Sequence, residues 1–186
     1  MIPVNKTTQL VRQGEGQPAL PSGNAFHPLD APFRSKRQKP SFYADPVSWL
    51  VLEAAEQAIG RCPQDVKEHP QSVAVITISD VCTLHTMREI EAKLTEGVIS
   101  PLRFSGANPG AIGSLPSYFS TFSGPTLVLS MPPEEAGGIA GALASTWLRE
   151  GTAKFVIFNR HWMRRDGHHV NSTIFANPEE VQQWLA

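Results

Sequence analysis

Cysteine is nearly absent from this sequence: Cys62 and Cys82 are the only two in 186 residues. Two thiols in a chain this long make no disulfide framework, so the fold must rest on an apolar core, and two reduced thiols in a cytoplasmic protein are expected. An excess of charge of one sign is missing too. The formal net charge is −1 and charged residues make up 18% of the chain, which gives no long-range attraction to nucleic acid or an anionic membrane. No apolar run approaches the roughly 20 residues that span a bilayer. Residues 1–24 also lack the apolar core of a secretory signal. The glycines from Gly106 to Gly113 do not form a G-x-G-x-x-G after a strand, so no nucleotide loop is read. A Gly-x-Ser-x-Gly elbow is missing as well. No cofactor and no metal site are expected.

What is present begins with a segment unlike the rest. Residues 1–40 hold Gly14, Gly16, Pro18, Pro21, Gly23, Pro28, Pro32 and Pro40, with a basic stretch from Arg34 to Lys39. This composition reads as an irregular N-terminal arm, with a short strand at Thr8–Val11 as its one regular element. A single domain, 41–186, follows. Asp45 and Pro46 are a helix cap and first-turn pair, and Gly60 marks the expected stop. Between them Val47, Leu50, Val51, Ala54, Ala55, Ala58 and Ile59 keep one apolar stripe. Val73–Ile78 is an almost continuous β-branched run and reads as a strand covered on both faces. A helix is expected from Leu84 to Glu96, ended by Gly97. Buried strands are expected at Thr126–Leu129, Phe155–Phe158 and Val170–Phe175, with a closing helix at Pro178–Leu185. Alternating strands and helices predict an α/β layered domain.

The least ordinary chemistry lies between Gly124 and Gly151. A Gly-Pro turn launches the strand Thr126–Leu129. Pro132-Pro133 then opens a helix whose first turn carries Glu134 and Glu135, where the helix dipole favours carboxylates. That helix contains Gly137, Gly138 and Gly141, each costing about 1 kcal/mol against alanine. So many glycines suit a helix buried at the centre, with other backbones pressed against it. Downstream, His161, His168, His169 and Asp166 read as polar strand and turn residues. His168 and His169 are adjacent and point to opposite faces of a strand.

Taken in order, these landmarks resemble the N-terminal half of the β-ketoacyl synthases of the thiolase superfamily. Those that match are the helix Val47–Ile59, the strand Val73–Ile78, Ser100-Pro101 through Phe104 as a loop, a helical stretch from Pro109 to Phe122, the Gly124-Pro125 strand, and Arg165-Asp166-Gly167. The resemblance implies a thiolase-like half: a layered α/β/α domain with a mixed sheet and a buried central helix. It also implies a nucleophilic cysteine where strand meets helix, since a helix N-terminus supports the thiolate that accepts an acyl group. Here that junction reads Ser130-Met131-Pro132-Pro133-Glu134-Glu135. Cys62 closes a helix and Cys82 follows the first buried strand, so neither is expected to substitute. Met131, Pro132, Pro133 and Glu134 therefore stand as a degenerate nucleophile position, with no catalytic residue assigned. The family's two catalytic histidines belong to a C-terminal half with no counterpart among these residues.

Two functions follow as expectations. The first is a non-catalytic subunit, similar to the chain length factors of type II polyketide and aryl-polyene systems, paired with an intact β-ketoacyl synthase or with itself. Thr126, Leu127, Val128, Leu129, Ser130 and Met131 would then form the interface and shape an acyl tunnel. Arg160, Trp162, Arg164 and Arg165 are the candidate contact for an acyl carrier protein, an acidic partner. The second is a small acyltransferase or thioesterase working on a carrier-bound thioester through Ser130 or a histidine.

Overall fold

A computed structural model describes residues 19–33, 43–94, 97 and 101–186 of the chain. Its centre is a five-stranded mixed sheet of β1 (Ser22–Pro28), β2 (Val73–Ser79), β3 (Thr126–Leu129), β4 (Phe155–Met163) and β5 (Gly167–Phe175). Their spatial order is β1-β5-β4-β2-β3. β2 runs parallel to both β3 and β4, whereas β5 is antiparallel to β4 and to β1. The helices are α1 (Pro46–Arg61), α2 (Leu84–Leu94), α3 (Pro101–Ala107), α4 (Ser114–Ser120), α5 (Pro133–Arg149) and α6 (Pro178–Leu185). Among the described residues no helix is long and apolar enough to cross a membrane.

The alternation of side chains along a strand builds two cores from one sheet. Ala74, Ile76 and Ile78 of β2 turn to one face, with Val156 and Phe158 of β4, and meet Ala136, Ala140 and Ala144 of α5. Val73, Val75, Ile157 and Ile174 turn to the other, against Ala55 and Ala58 of α1. All seven residues of β2 are buried, as expected for a strand covered on both faces, and each large side chain so buried contributes about 1.5–3 kcal/mol. Helix α1 begins as its sequence specifies. The Asp45 carboxylate accepts the Val47 N–H at 2.9 Å, and its other oxygen accepts the Thr86 N–H and hydroxyl, tying α1 to α2.

Several elements differ from expectation. Within residues 1–40, read as irregular, Ser22–Pro28 forms β1 and pairs with β5 from Ser22↔Thr173 to Pro28↔Gly167. Gly23 makes this edge close-packed: a Cβ there would stand 2.1 Å from the Ala54 carbonyl oxygen of α1. The strand read at Thr8–Val11 and the basic stretch 34–39 lie outside the described residues. Helix α1 continues through Gly60 to Arg61. The stretch read as a loop at 101–104 belongs to α3, and the region 109–122 divides into a 3-10 turn (Pro109–Gly113) and α4. Pro101, Pro109 and Pro116 account for the division, because a proline cannot donate within a helix interior. β3, read as buried, is an exposed-to-half-buried edge strand. Helix α5 buries one stripe, Ala136, Ala140 and Ala144, while Ile139 is 58% exposed. Of its glycines only Gly141 is crowded, by Leu185 of α6, and Gly138 meets nothing.

Candidate functional site

The parallel strands β2, β3 and β4 end side by side, and in open α/β sheets the crevice beyond such carboxyl ends is where sites form. Ser79 closes β2 and pairs in register with His161 of β4, while Leu129 pairs with Ile78 and is followed by Ser130. Three groups of residues meet around this end of the sheet.

The first is the edge itself. β3 pairs with β2 along one side, and among the described residues its other side has no strand neighbour. Leu127 and Leu129 lean on the α5 core and Val128 on the α1 side, leaving Thr126 exposed. The strand then enters α5 through an exposed Ser130, a half-buried Met131 packed on the α5 core, the capping Pro132 and a buried Pro133. Glu134 accepts the Trp162 indole N–H at 2.7 Å and so tethers the start of α5 to the end of β4. The nearest nucleophilic neighbour comes from elsewhere in the chain: Cys82 Sγ lies 3.3 Å from Ser130 Oγ. Cys82 is buried and takes a left-handed φ of 42°. Its N–H donates to Ser79 Oγ at 2.8 Å and its thiol to the Ser79 carbonyl at 3.3 Å. Sequence reasoning set Cys82 apart from the junction; the pairing of β2 with β3 brings it there. Cys62 caps α1 on the other core.

The second group is a chain of hydrogen bonds that sequence reasoning missed. Ser79 Oγ meets His161 Nδ1 at 2.8 Å, and His161 Nε2 meets His168 Nδ1 at 3.0 Å. Ser79 Oγ also accepts the Cys82 N–H, and the tautomer of His161 sets which way each of these two bonds runs. The two rings are near-parallel, 14° apart, with their centroids 5.2 Å apart. Burial pushes His161 down to about 3, aided by His168 and His169, and His168 down to about 4, aided by His27, His85 and His169. Phe33 stacks on His27 at 3.8 Å and touches His85 and His168. His169 packs on Phe26 and bonds Asp166 at 2.9 Å. Five of the six histidines therefore gather at this end of the sheet. Ser79 and His161 are completely buried, so this serine–histidine pair holds β2, β4 and β5 together and presents no open hydroxyl to a thioester.

The third group is the basic and aromatic stretch of β4. The guanidinium groups of Arg160 and Arg164 lie over the Trp162 ring, at 5.0 and 5.7 Å from its centroid. Arg165 is exposed on the turn between β4 and β5. Three of the four residues singled out here thus form one cluster. Among the described residues no group of three or more His, Cys, Asp or Glu side chains is placed to hold a metal.

No protein-family model and no curated protein matches the chain; solved structures do. A ketosynthase in complex with its chain length factor from Xenorhabdus doucetiae matches with a TM-score of 0.59 and 13% identity, over 84% of this chain and 76% of that one. A type II polyketide synthase acyl-carrier protein in complex with its ketosynthase matches at 0.57 and 14%, over 75% and 49%. A β-ketoacyl synthase from Burkholderia phymatum matches at 0.56 and 13%, over 86% and 47%. The chain spans about half the length of the last two chains and three quarters of the first. Its mixed sheet with helices on both faces is the thiolase-like fold of the ketosynthases and their chain length factors.

Proposed function

We propose that this chain is a non-catalytic, chain-length-factor-like subunit that docks on an intact β-ketoacyl synthase in a type II polyketide or aryl-polyene-like system. The observation that carries the reading is the edge strand β3, which among the described residues has a strand neighbour on one side only and runs straight into a junction, Ser130 to Glu134, that contains no thiol of its own. An unpaired edge offers a row of backbone donors and acceptors to another strand. Pairing there would bring Met131, Pro132 and Pro133 to the partner, where their volume would limit an acyl tunnel. Neighbours in which a ketosynthase is bound to its chain length factor or to an acyl-carrier protein support a ketosynthase partner, and Arg160, Trp162, Arg164 and Arg165 are the proposed carrier contact. Co-expression with a full-length ketosynthase encoded in the same gene neighbourhood is expected to give a stable 1:1 complex, and a self-paired homodimer is the outcome that would replace it.

One observation favours a second reading, a small acyltransferase or thioesterase: the exposed Ser130 hydroxyl lies beside the Cys82 thiol. Under that reading thioester hydrolysis is measurable with the purified chain and disappears in Ser130→Ala. Absence of hydrolysis in the wild type removes it.

A further inference from the structure

Helix α5 buries one stripe, Ala136, Ala140 and Ala144, against the sheet. At helical spacing its opposite face is Glu135, Gly138, Ile139, Ala142, Thr146 and Arg149. A surface helix ordinarily turns charged residues to water, yet from Ala136 to Leu148 this one has none. Ile139 is 58% exposed, and Leu185 of α6, 40% exposed, lies over Gly141 and widens the apolar surface. The Thr146 hydroxyl is occupied by the Ala142 carbonyl at 2.9 Å. Gly138 weakens the helix, and among the described residues nothing comes within 4 Å of the place its Cβ would take. No described part of the chain uses the room that this glycine leaves.

Charge returns only at the two ends of the face, and with opposite sign. Glu135 and Arg149 are both exposed, and neither is in an ion pair among the described residues. Each stands seven residues, about two helical turns, from Ala142. Turned about a two-fold axis at Ala142, the face is its own complement. Glu135 of one copy meets Arg149 of the other at both ends, and Gly138 stands opposite Thr146.

We propose that this face of α5 pairs with the same face of a second copy of this chain, antiparallel and crossing at Ala142. An isologous interface requires such self-complementarity. Gly138 and Ala142 let the two helix backbones approach to about 8 Å, which covers Ile139. A few helical turns make a small contact beside the roughly 1,600 Å² of a standard interface, so the pairing is reversible and depends on concentration. It does not use the β3 edge. A homodimer through β3 would displace a ketosynthase, whereas one through α5 would not.

The experiment is sedimentation equilibrium of the full chain alone, from about 1 to 100 μM. A monomer–dimer equilibrium is expected. Ala142→Glu puts a carboxylate on the axis at an exposed position and is expected to leave a folded monomer. Glu135→Lys and Arg149→Glu are each expected to weaken pairing about tenfold, because each change is met twice across the axis. The two changes together are expected to restore it, and Thr126→Lys to leave it unchanged. Should Ala142→Glu fail to fold, the charge exchange decides. A chain that stays monomeric throughout overturns the proposal, as does a double variant that pairs no better than the single ones. A dimer lost in Thr126→Lys and kept in Ala142→Glu lies on β3 and overturns it too. The ketosynthase complex is read separately, through co-expression, so either proposal can fail without the other.

Discussion

The two edges of the sheet are finished in opposite ways. β1 forms one edge through seven residue pairs to β5, with Gly23 pressed onto α1 and His27 stacked on Phe33, and among the described residues it too has a strand neighbour on one side only. β3 leaves the other edge with four residues paired on one side and an exposed Thr126. Packing closes the β1 edge, where Gly23 meets α1 and Phe26 meets His169, and leaves the β3 edge open, four residues long and followed by the Ser130–Glu134 junction. Damage to the closed edge should appear as lost stability, and damage to the open edge as lost association.

The largest expected effect is at Gly23. Gly23→Val places a side chain where a Cβ already meets the Ala54 carbonyl oxygen at 2.1 Å. Overpacking against backbone of this kind costs about 3 kcal/mol, read as a lower urea midpoint. A midpoint within error of wild type would mean that β1 does not close the edge.

Next comes His161→Ala. It leaves the Ser79 hydroxyl and His168 Nδ1 without their partner in a buried place, a loss of about 2 kcal/mol. His161→Gln, which can hydrogen-bond, should recover part of it in the same urea titration.

The same cluster predicts an acid response. In the folded chain His161 and His168 titrate near 3 and 4, below the value of about 6.5 expected when unfolded. As pH falls from about 6.5 towards 4 the unfolded state binds protons that the folded state does not. Stability is therefore complete above that range and declines below it, by up to about 1.4 kcal/mol per pH unit for each histidine. Chemical denaturation at pH 7, 6, 5 and 4 measures it, and His161→Gln should flatten the slope. A profile unchanged by that substitution would show that other groups govern acid sensitivity.

The smallest expected effect on stability belongs to the open edge. Thr126→Lys lies on an exposed position and should change the stability of the chain alone by less than about 0.5 kcal/mol. A lysine on an edge strand blocks pairing with another strand, so association should fall at least tenfold. If stability falls with it, the comparison between the edges fails.

Elements written in local patterns were legible in the sequence. The Asp45-Pro46 start of α1, the β-branched run of β2, the Pro132-Pro133 start of α5 and the span of α6 are each set by neighbours in the chain. β1 was not, because Ser-Gly-Asn-Ala-Phe-His-Pro has no β-branched residue and buries only Gly23 and Ala25. It becomes a strand because β5 and α1 supply its partners. The start of β5 at Gly167 was missed for a related reason: His168 and His169 look like turn residues until β4 and β1 flank them. At the site, the arginine–tryptophan cluster was visible as a run of neighbours. The Ser79–His161 bond, between residues 82 apart, and the approach of Cys82 to Ser130, 48 apart, exist only after the strands align. Read from the sequence, these two strands end at Ile78 and Phe158, short of Ser79 and His161, and the register that joins them comes only from the parallel pairing of β2 with β4.

Co-expression of the chain with a neighbouring full-length ketosynthase, followed by light scattering of the purified material, tests the central claim most directly. A 1:1 complex that forms with the wild type and is lost with Thr126→Lys, while the variant chain remains folded, is the predicted result. A chain that purifies alone as a folded monomer beside an equally free synthase would contradict it.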